Sequence, residues 1–142
     1  MTEVSFYILS SQTEQGRIHF ACKLAEKAYR SGQSCYIVTE DESQSKLVDD
    51  LLWTFRPGSF VPHQVYDGSA NATANKVLIG TRPAPENWQR IIINLSARCP
   101  ENADNDVRIL EVLDNDENTK AEGRKRYKRY QQAGFPISTH KM

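Results

Sequence analysis

The chain has 142 residues, and its 18 Lys and Arg balance 18 Asp and Glu to a formal charge of zero; 39% of its residues are hydrophobic and 25% charged. That composition excludes a disordered tail and fits one globular domain over residues 1–142, able to bury roughly 68–70% of the surface its unfolded form exposes. A neutral balance also argues against a protein that coats nucleic acid, which needs a basic excess.

Val4 to Leu9 (VSFYIL) reads as a strand, and the polar SSQTEQG after it supplies caps for a helix to about Arg30. In that helix Ile18, Ala21, Cys22, Ala25, Ala28 and Tyr29 share one side, and the alanines let it lie close to a sheet. Ser34 to Glu40 predicts a second strand, and Asp41-Glu42 before Ser43 suits the start of a second helix, running to about Phe55. Pro57-Gly58 closes it. Phe60 to Tyr66 (FVPHQVY) reads as extended, with Pro62 restricting it to an edge or loop, and Asp67 to Asn75 reads as a loop. Val77 to Gly80 and Ile91 to Leu95 follow as strands, the latter apolar enough for the middle of a sheet covered on both faces. The RPAPENW connection between them is too rich in proline for a helix. Cys99 to Asp106 is polar, Val107 to Leu113 alternates as a last strand, and Glu117 to Ala133 forms a closing helix. This β-α-β-α-β-β-β-α order predicts an α/β three-layer sandwich with a mainly parallel sheet and right-handed crossovers.

No apolar run approaches the roughly 18 residues of a spanning helix, and MTEVSFYIL lacks a signal peptide's basic start, so a cytoplasmic protein without membrane contact is expected. Cys22, Cys35 and Cys99 match neither a disulfide framework nor a CxxC clip and read as free thiols. Ligands of open α/β sheets sit at the carboxyl ends of the strands, here the loop Ser10 to Gly16. Neither GxxxxGK[ST] nor GxGxxG is present, so a capped helix start is the expectation there. His19 and Cys22 are one turn apart, but two side chains make no zinc site. His63, between Pro62 and Gln64, reads as a turn residue.

The second helix is more informative. At 100° per residue, Leu47, Val48, Leu51, Leu52 and Phe55 cover a stripe about 140° wide, and Trp53 falls about 170° from its centre. An indole among Lys46, Asp49 and Asp50 on the solvent side has the character of an interface hot spot, extended by Phe60 and Val61. If the chain instead turns after Leu52, Trp53 becomes a lid on the core.

In the last helix Lys120, Arg124, Lys125, Arg126, Lys128 and Arg129 against Glu122 give residues 120–129 a net +5, while residues 101–117 carry seven acidic side chains and one Arg. Gly123, Tyr127, Tyr130 and Gly134 make a narrow uncharged stripe expected to dock on the sheet. Lys120, Arg124, Lys128 and Gln131 form a ridge beside Tyr127, a combination suited to a ligand both anionic and apolar. The alternative is a solvated basic face complementing the helix dipole.

The blocks TEVSFYILS, RSGQSCYIVTEDESQSKLVDDLLWTFRPGSFVPH and RKRYKRYQQAGF, in this order, resemble the chi subunit of bacterial DNA polymerase III, a clamp-loader accessory family. The resemblance implies a Rossmann-like fold without a working nucleotide site, no catalysis and no cofactor. It also implies a link from the clamp loader, through the psi subunit, to the acidic C-terminal tail of single-stranded DNA-binding protein, which ends in Pro-Phe; DNA is met only indirectly. By motif, Trp53 and Phe60 would belong to the surface for psi or, in its place, a helicase, and the adjoining Val61 and Pro62 are expected to extend it. Arg124, Tyr127 and Lys128, with Lys120, would grip the tail. LDNDENTK is more acidic than the family pattern. Two other classes stay open on the residues alone: a flavodoxin-like cofactor protein, which would bind FMN, and a direct binder of nucleic acid through the basic helix, which lacks an aromatic stacking platform.

Overall fold

The structure, a computed structural model, describes residues 2–55, 58, 61–66, 77–83, 91–100 and 107–142. Its strands are β1 (Glu3–Ile8), β2 (Cys35–Val38), β3 (His63–Val65), β4 (Val77–Gly80), β5 (Ile91–Asn94), β6 (Arg108–Leu113) and β7 (Ile137–Lys141); its helices are α1 (Glu14–Arg30), α2 (Glu42–Thr54) and α3 (Glu117–Gln132). The seven strands form one parallel sheet in the order β3-β4-β2-β5-β6-β1-β7. The predicted α/β sandwich is therefore present, its sheet wholly parallel. The loop expected over Asp67 to Asn75 and most of RPAPENW lie outside the described residues.

Strand alternation divides the core in two. Cys35 and Ile37, Val77 and Ile79, Ile91 and Ile93, and Leu110 and Val112 face α1 and α2; Val4, Phe6, Tyr36, Leu78, Ile92, Ile109 and Leu113 face the side that carries α3. Ala21, Ala25 and Ala28 are buried as the spacing predicts, so α1 lies close to the sheet. On α2 the stripe holds at Val48 and Leu52, which are buried, while Leu51 and Phe55 are partly buried against the same core. Leu47 is the exception: it sits at the stripe's edge and is 48% exposed.

Each helix begins on a side-chain cap: Thr13 Oγ1 accepts from Gly16 N at 3.1 Å, Asp41 Oδ1 from Gln44 N at 2.8 Å, and Asp116 Oδ2 from Asn118 N and Thr119 N at 3.0 and 3.2 Å. At the far end of α3, Gly134 (φ 81°) supplies the left-handed residue of a Schellman stop: Phe135 N donates to Tyr130 O and Gly134 N to Gln131 O, both at 3.1 Å, and the Phe135 ring packs on Tyr130. The stop sends the chain into β7, a further strand beyond the closing helix that the predicted order ends on. β7 joins the sheet edge beside β1 through Val4 N to Pro136 O at 3.0 Å and Met142 N to Ile8 O at 2.9 Å. β3 occupies the opposite edge, where Pro62 removes a donor the ladder does not need.

Candidate functional site

At the carboxyl ends of the strands the N-termini of all three helices converge on a crevice of about 400 Å³. Several of the backbone donors around it are taken by the protein's own side chains. Besides the three caps, Glu40 Oε2 accepts from Ala97 N at 2.8 Å. Ser11 Oγ lies 3.0 Å from Thr13 Oγ1, and a Cβ on Gly16 would meet Ser11 Oγ at 2.5 Å, so the loop is folded onto the glycine. Glu14, Glu40, Asp41 and Glu122 line the crevice, and Arg17 turns its Nε away to Val112 O at 2.6 Å. Burial draws the Arg17 pKa below its ordinary value, with Asp114 opposing the shift. A phosphate there would face carboxylates and spent N–H groups.

Cys22 is buried, and burial pushes its thiol up to about 12; His19 meets the Phe55 ring edge-on at 6.1 Å. Among the described residues no group of three His, Cys, Asp or Glu side chains could hold a metal ion. Among them, too, no helix is long and apolar enough to cross a membrane.

On the other face of the sheet α3 is anchored by charge. Glu111 is fully buried, and its Oε2 accepts from Tyr130 OH at 2.6 Å, Arg126 Nε at 2.9 Å and Asn94 Nδ2 at 3.0 Å; Arg126 Nη1 adds a bond to Ala97 O at 3.2 Å. Burial, and then the neighbouring Glu111 carboxylate, push the Tyr130 phenol well above its ordinary pKa, which keeps it a donor. Arg126, counted with the basic face in the sequence, is thus an internal counter-ion. The predicted docking stripe also changes: Gly123 and Tyr130 are buried, Gly134 lies exposed beyond the helix end, and Tyr127 is 38% exposed, its ring 5.5 Å from Phe6. Gly123 lets α3 descend onto Leu113, whose Cδ1 a Cβ would meet at 2.6 Å.

What remains outside is Arg124, Lys125, Lys128 and Arg129 beside the half-open Tyr127. Lys125 pairs with Glu122 at 3.8 Å. Lys120 is half-buried and held by Glu117 Oε1 at 3.3 Å and Asn115 Oδ1 at 3.1 Å. The acidic approach to the helix thus touches the first cation of the ridge, leaving Arg124 and Lys128, one turn apart, as its exposed charges.

The third feature is Trp53, 56% exposed on α2. The lid alternative is excluded, because the helix continues through Thr54 and carries the indole outward. Beneath it lies His63, whose ring meets the indole edge-on with centroids 4.7 Å apart. His63 is no turn residue: it opens β3 with a wholly buried side chain, its Nδ1 2.7 Å from Val61 O and its Nε2 3.1 Å from Asp49 Oδ1. Val61, expected on the surface, is 1% exposed because it packs into the core on the α1–α2 side. Pro62 is half-buried, and Phe60 lies outside the described residues.

The family model described as DNA polymerase III chi subunit, HolC, matches residues 1–138. The DNA polymerase III subunit chi of Pseudomonas aeruginosa is 32% identical over 142 residues, covering 100% of this chain and 98% of that protein. The subunit of the same name from Haemophilus influenzae is 32% identical over 136 residues, covering 94% and 93%, and that of Escherichia coli is 27% identical over 143 residues, covering 98% and 97%. Among solved structures, T4 UvsW superposes with a TM-score of 0.67 at 11% identity over 99% of this chain and 41% of that one, a likeness of fold alone.

Proposed function

The chain belongs to the DNA polymerase III chi subunit family, a replisome accessory family, and from that premise we propose that it is a non-catalytic adaptor with two partner faces. The α3 face takes the acidic C-terminal tail of single-stranded DNA-binding protein; the Trp53 face takes the psi subunit or, in its place, a helicase. The observation that carries the reading is the arrangement on α3: Arg124 and Lys128 stand exposed beside the half-open Tyr127 ring, on a helix pinned to the sheet by a buried ion pair.

In this mechanism Arg124 pairs with the terminal carboxylate, Lys128 with an acidic residue upstream, and Tyr127 walls the pocket for the terminal Phe. Lys120 joins when the ligand's acids displace its contacts with Glu117 and Asn115. Charge accelerates encounter and the apolar anchor sets residence time, so affinity falls as salt rises. On the other side of the molecule Trp53, with Pro62 and Phe60 after it, supplies the aromatic anchor typical of a hot spot.

Fluorescence anisotropy of a labelled tail peptide tests the α3 assignment. Arg124→Ala should lose about 2 kcal/mol or more, roughly 30-fold in Kd, and removal of the terminal Phe should abolish binding. Equal affinity of wild type and Arg124→Ala would overturn it.

A further inference from the structure

We infer that His63 is the positioning residue of the Trp53 face, a role that rests on Trp53 being a partner anchor. Trp53 leaves the surface of α2 among polar neighbours, and any rotamer freedom the indole keeps there is lost on binding. The His63 ring is the element of β3 that meets the indole, edge to face at 4.7 Å, in the T-shaped geometry aromatic pairs favour. His63 itself cannot turn. Its Nδ1–H donates to Val61 O at 2.7 Å, its Nε2 faces Asp49 Oδ1 at 3.1 Å without hydrogen-bond alignment, and its side chain has no solvent exposure. Asp49 stands one turn before Trp53 on α2, so the carboxylate facing Nε2 and the indole over the ring come from the same helix, while the hydrogen bond that fixes the ring comes from Val61 O. β3, an edge strand of three residues, thereby links the sheet to the outward indole. The arrangement sets the Trp53 orientation before a partner arrives, and His63, which is wholly buried, acts only through it.

The test is a double-mutant cycle on the affinity of the full chain for the psi subunit, using His63→Asn, His63→Leu, Trp53→Ala and the two combinations. His63→Asn keeps a donor for Val61 O and removes the ring, so it separates the ring contact from folding of the β3 edge. Each His63 variant should weaken psi about five- to tenfold when Trp53 is present, and less than about twofold when Trp53 is already Ala. The Trp53 emission, taken as the difference from Trp53→Phe, should change in intensity when the imidazole is removed while the circular dichroism spectrum stays unchanged. A weakened but measurable psi affinity in Trp53→Ala, with full, independent additivity of the His63 variants, would overturn the positioning role and leave the face intact. Undiminished psi binding in Trp53→Ala would instead overturn the face itself, and the inference with it.

Discussion

Replacing Arg126 by Met tests how the basic helix is held. The side chain is 3% exposed and its partner Glu111 not at all, with Nε to Oε2 at 2.9 Å. Met preserves much of the volume but leaves the Glu111 carboxylate desolvated, supported only by Tyr130 OH at 2.6 Å and Asn94 Nδ2 at 3.0 Å, and frees Ala97 O of a donor. Removing one member of a buried pair costs about 3–5 kcal/mol, a large part of the roughly 5–15 kcal/mol available to a domain. Urea unfolding followed by circular dichroism should show that loss. Converting Glu111 to Leu in the same chain removes the stranded charge, so the double variant should be at least about 2 kcal/mol more stable than the sum of the two single changes allows. A loss under about 1 kcal/mol for Arg126→Met, or strict additivity, would refute the view that this pair seats α3 on the sheet.

Three further outcomes follow from the packing and the titrating groups. Gly123→Ala gains about 1 kcal/mol of helix propensity but forces a Cβ to within 2.6 Å of Leu113 Cδ1, an overpacking worth about 1–3 kcal/mol, so thermal unfolding should show no gain or a net loss unless Leu113 is shortened to Val; stabilisation in the otherwise unchanged chain would contradict the close approach. Burial pushes the Cys22 and Cys35 thiols up to about 12; in the unfolded chain they ionise from about pH 9, so stability is complete below that pH and falls as pH rises toward 12, by about 1.4 kcal/mol per unit for each thiol. Changing both to Ala should flatten the alkaline limb of a denaturation series, and an unaltered slope would show that the thiols are not the groups responsible. Trp53→Ala should cost less than about 1 kcal/mol in urea, because the indole is 56% exposed, while psi binding weakens by roughly 30-fold or more; a cost above about 3 kcal/mol would place the ring in the core.

Much of this architecture is legible without coordinates where apolar periodicity is strong. The alanine face of α1 and the runs at Val77 and Ile91 bury the residues their period predicts, the stripe of α2 does so at Val48 and Leu52 but not at Leu47, and the same wheel turns Trp53 outward. Periodicity fails where the cause is not apolar. Ile137–Lys141 has no alternating pattern, and backbone pairing to β1 recruits it, so β7 left no hydrophobic trace. By residue type alone Arg126 counts with the basic face of α3. The usable signal lay in β6, where alternation puts Glu111 on the face of Ile109 and Leu113, a position that requires a cation and donors from whatever covers it. Arg126 and Tyr130, four residues apart on α3, meet that requirement. His63 reads as a turn residue because neither Asp49 nor Trp53 is near it in sequence, and only the β3 edge brings the three together.

The adaptor account stands on two faces that work independently, α3 on one side of the sheet and Trp53 on α2 on the other. The direct measurement is the Kd for psi by isothermal titration calorimetry, taken with and without a saturating single-stranded DNA-binding protein tail peptide. The account predicts the same Kd within about twofold and a ternary complex of one copy of each component by sedimentation. Displacement of the peptide by psi would contradict it, because both ligands would then share one surface.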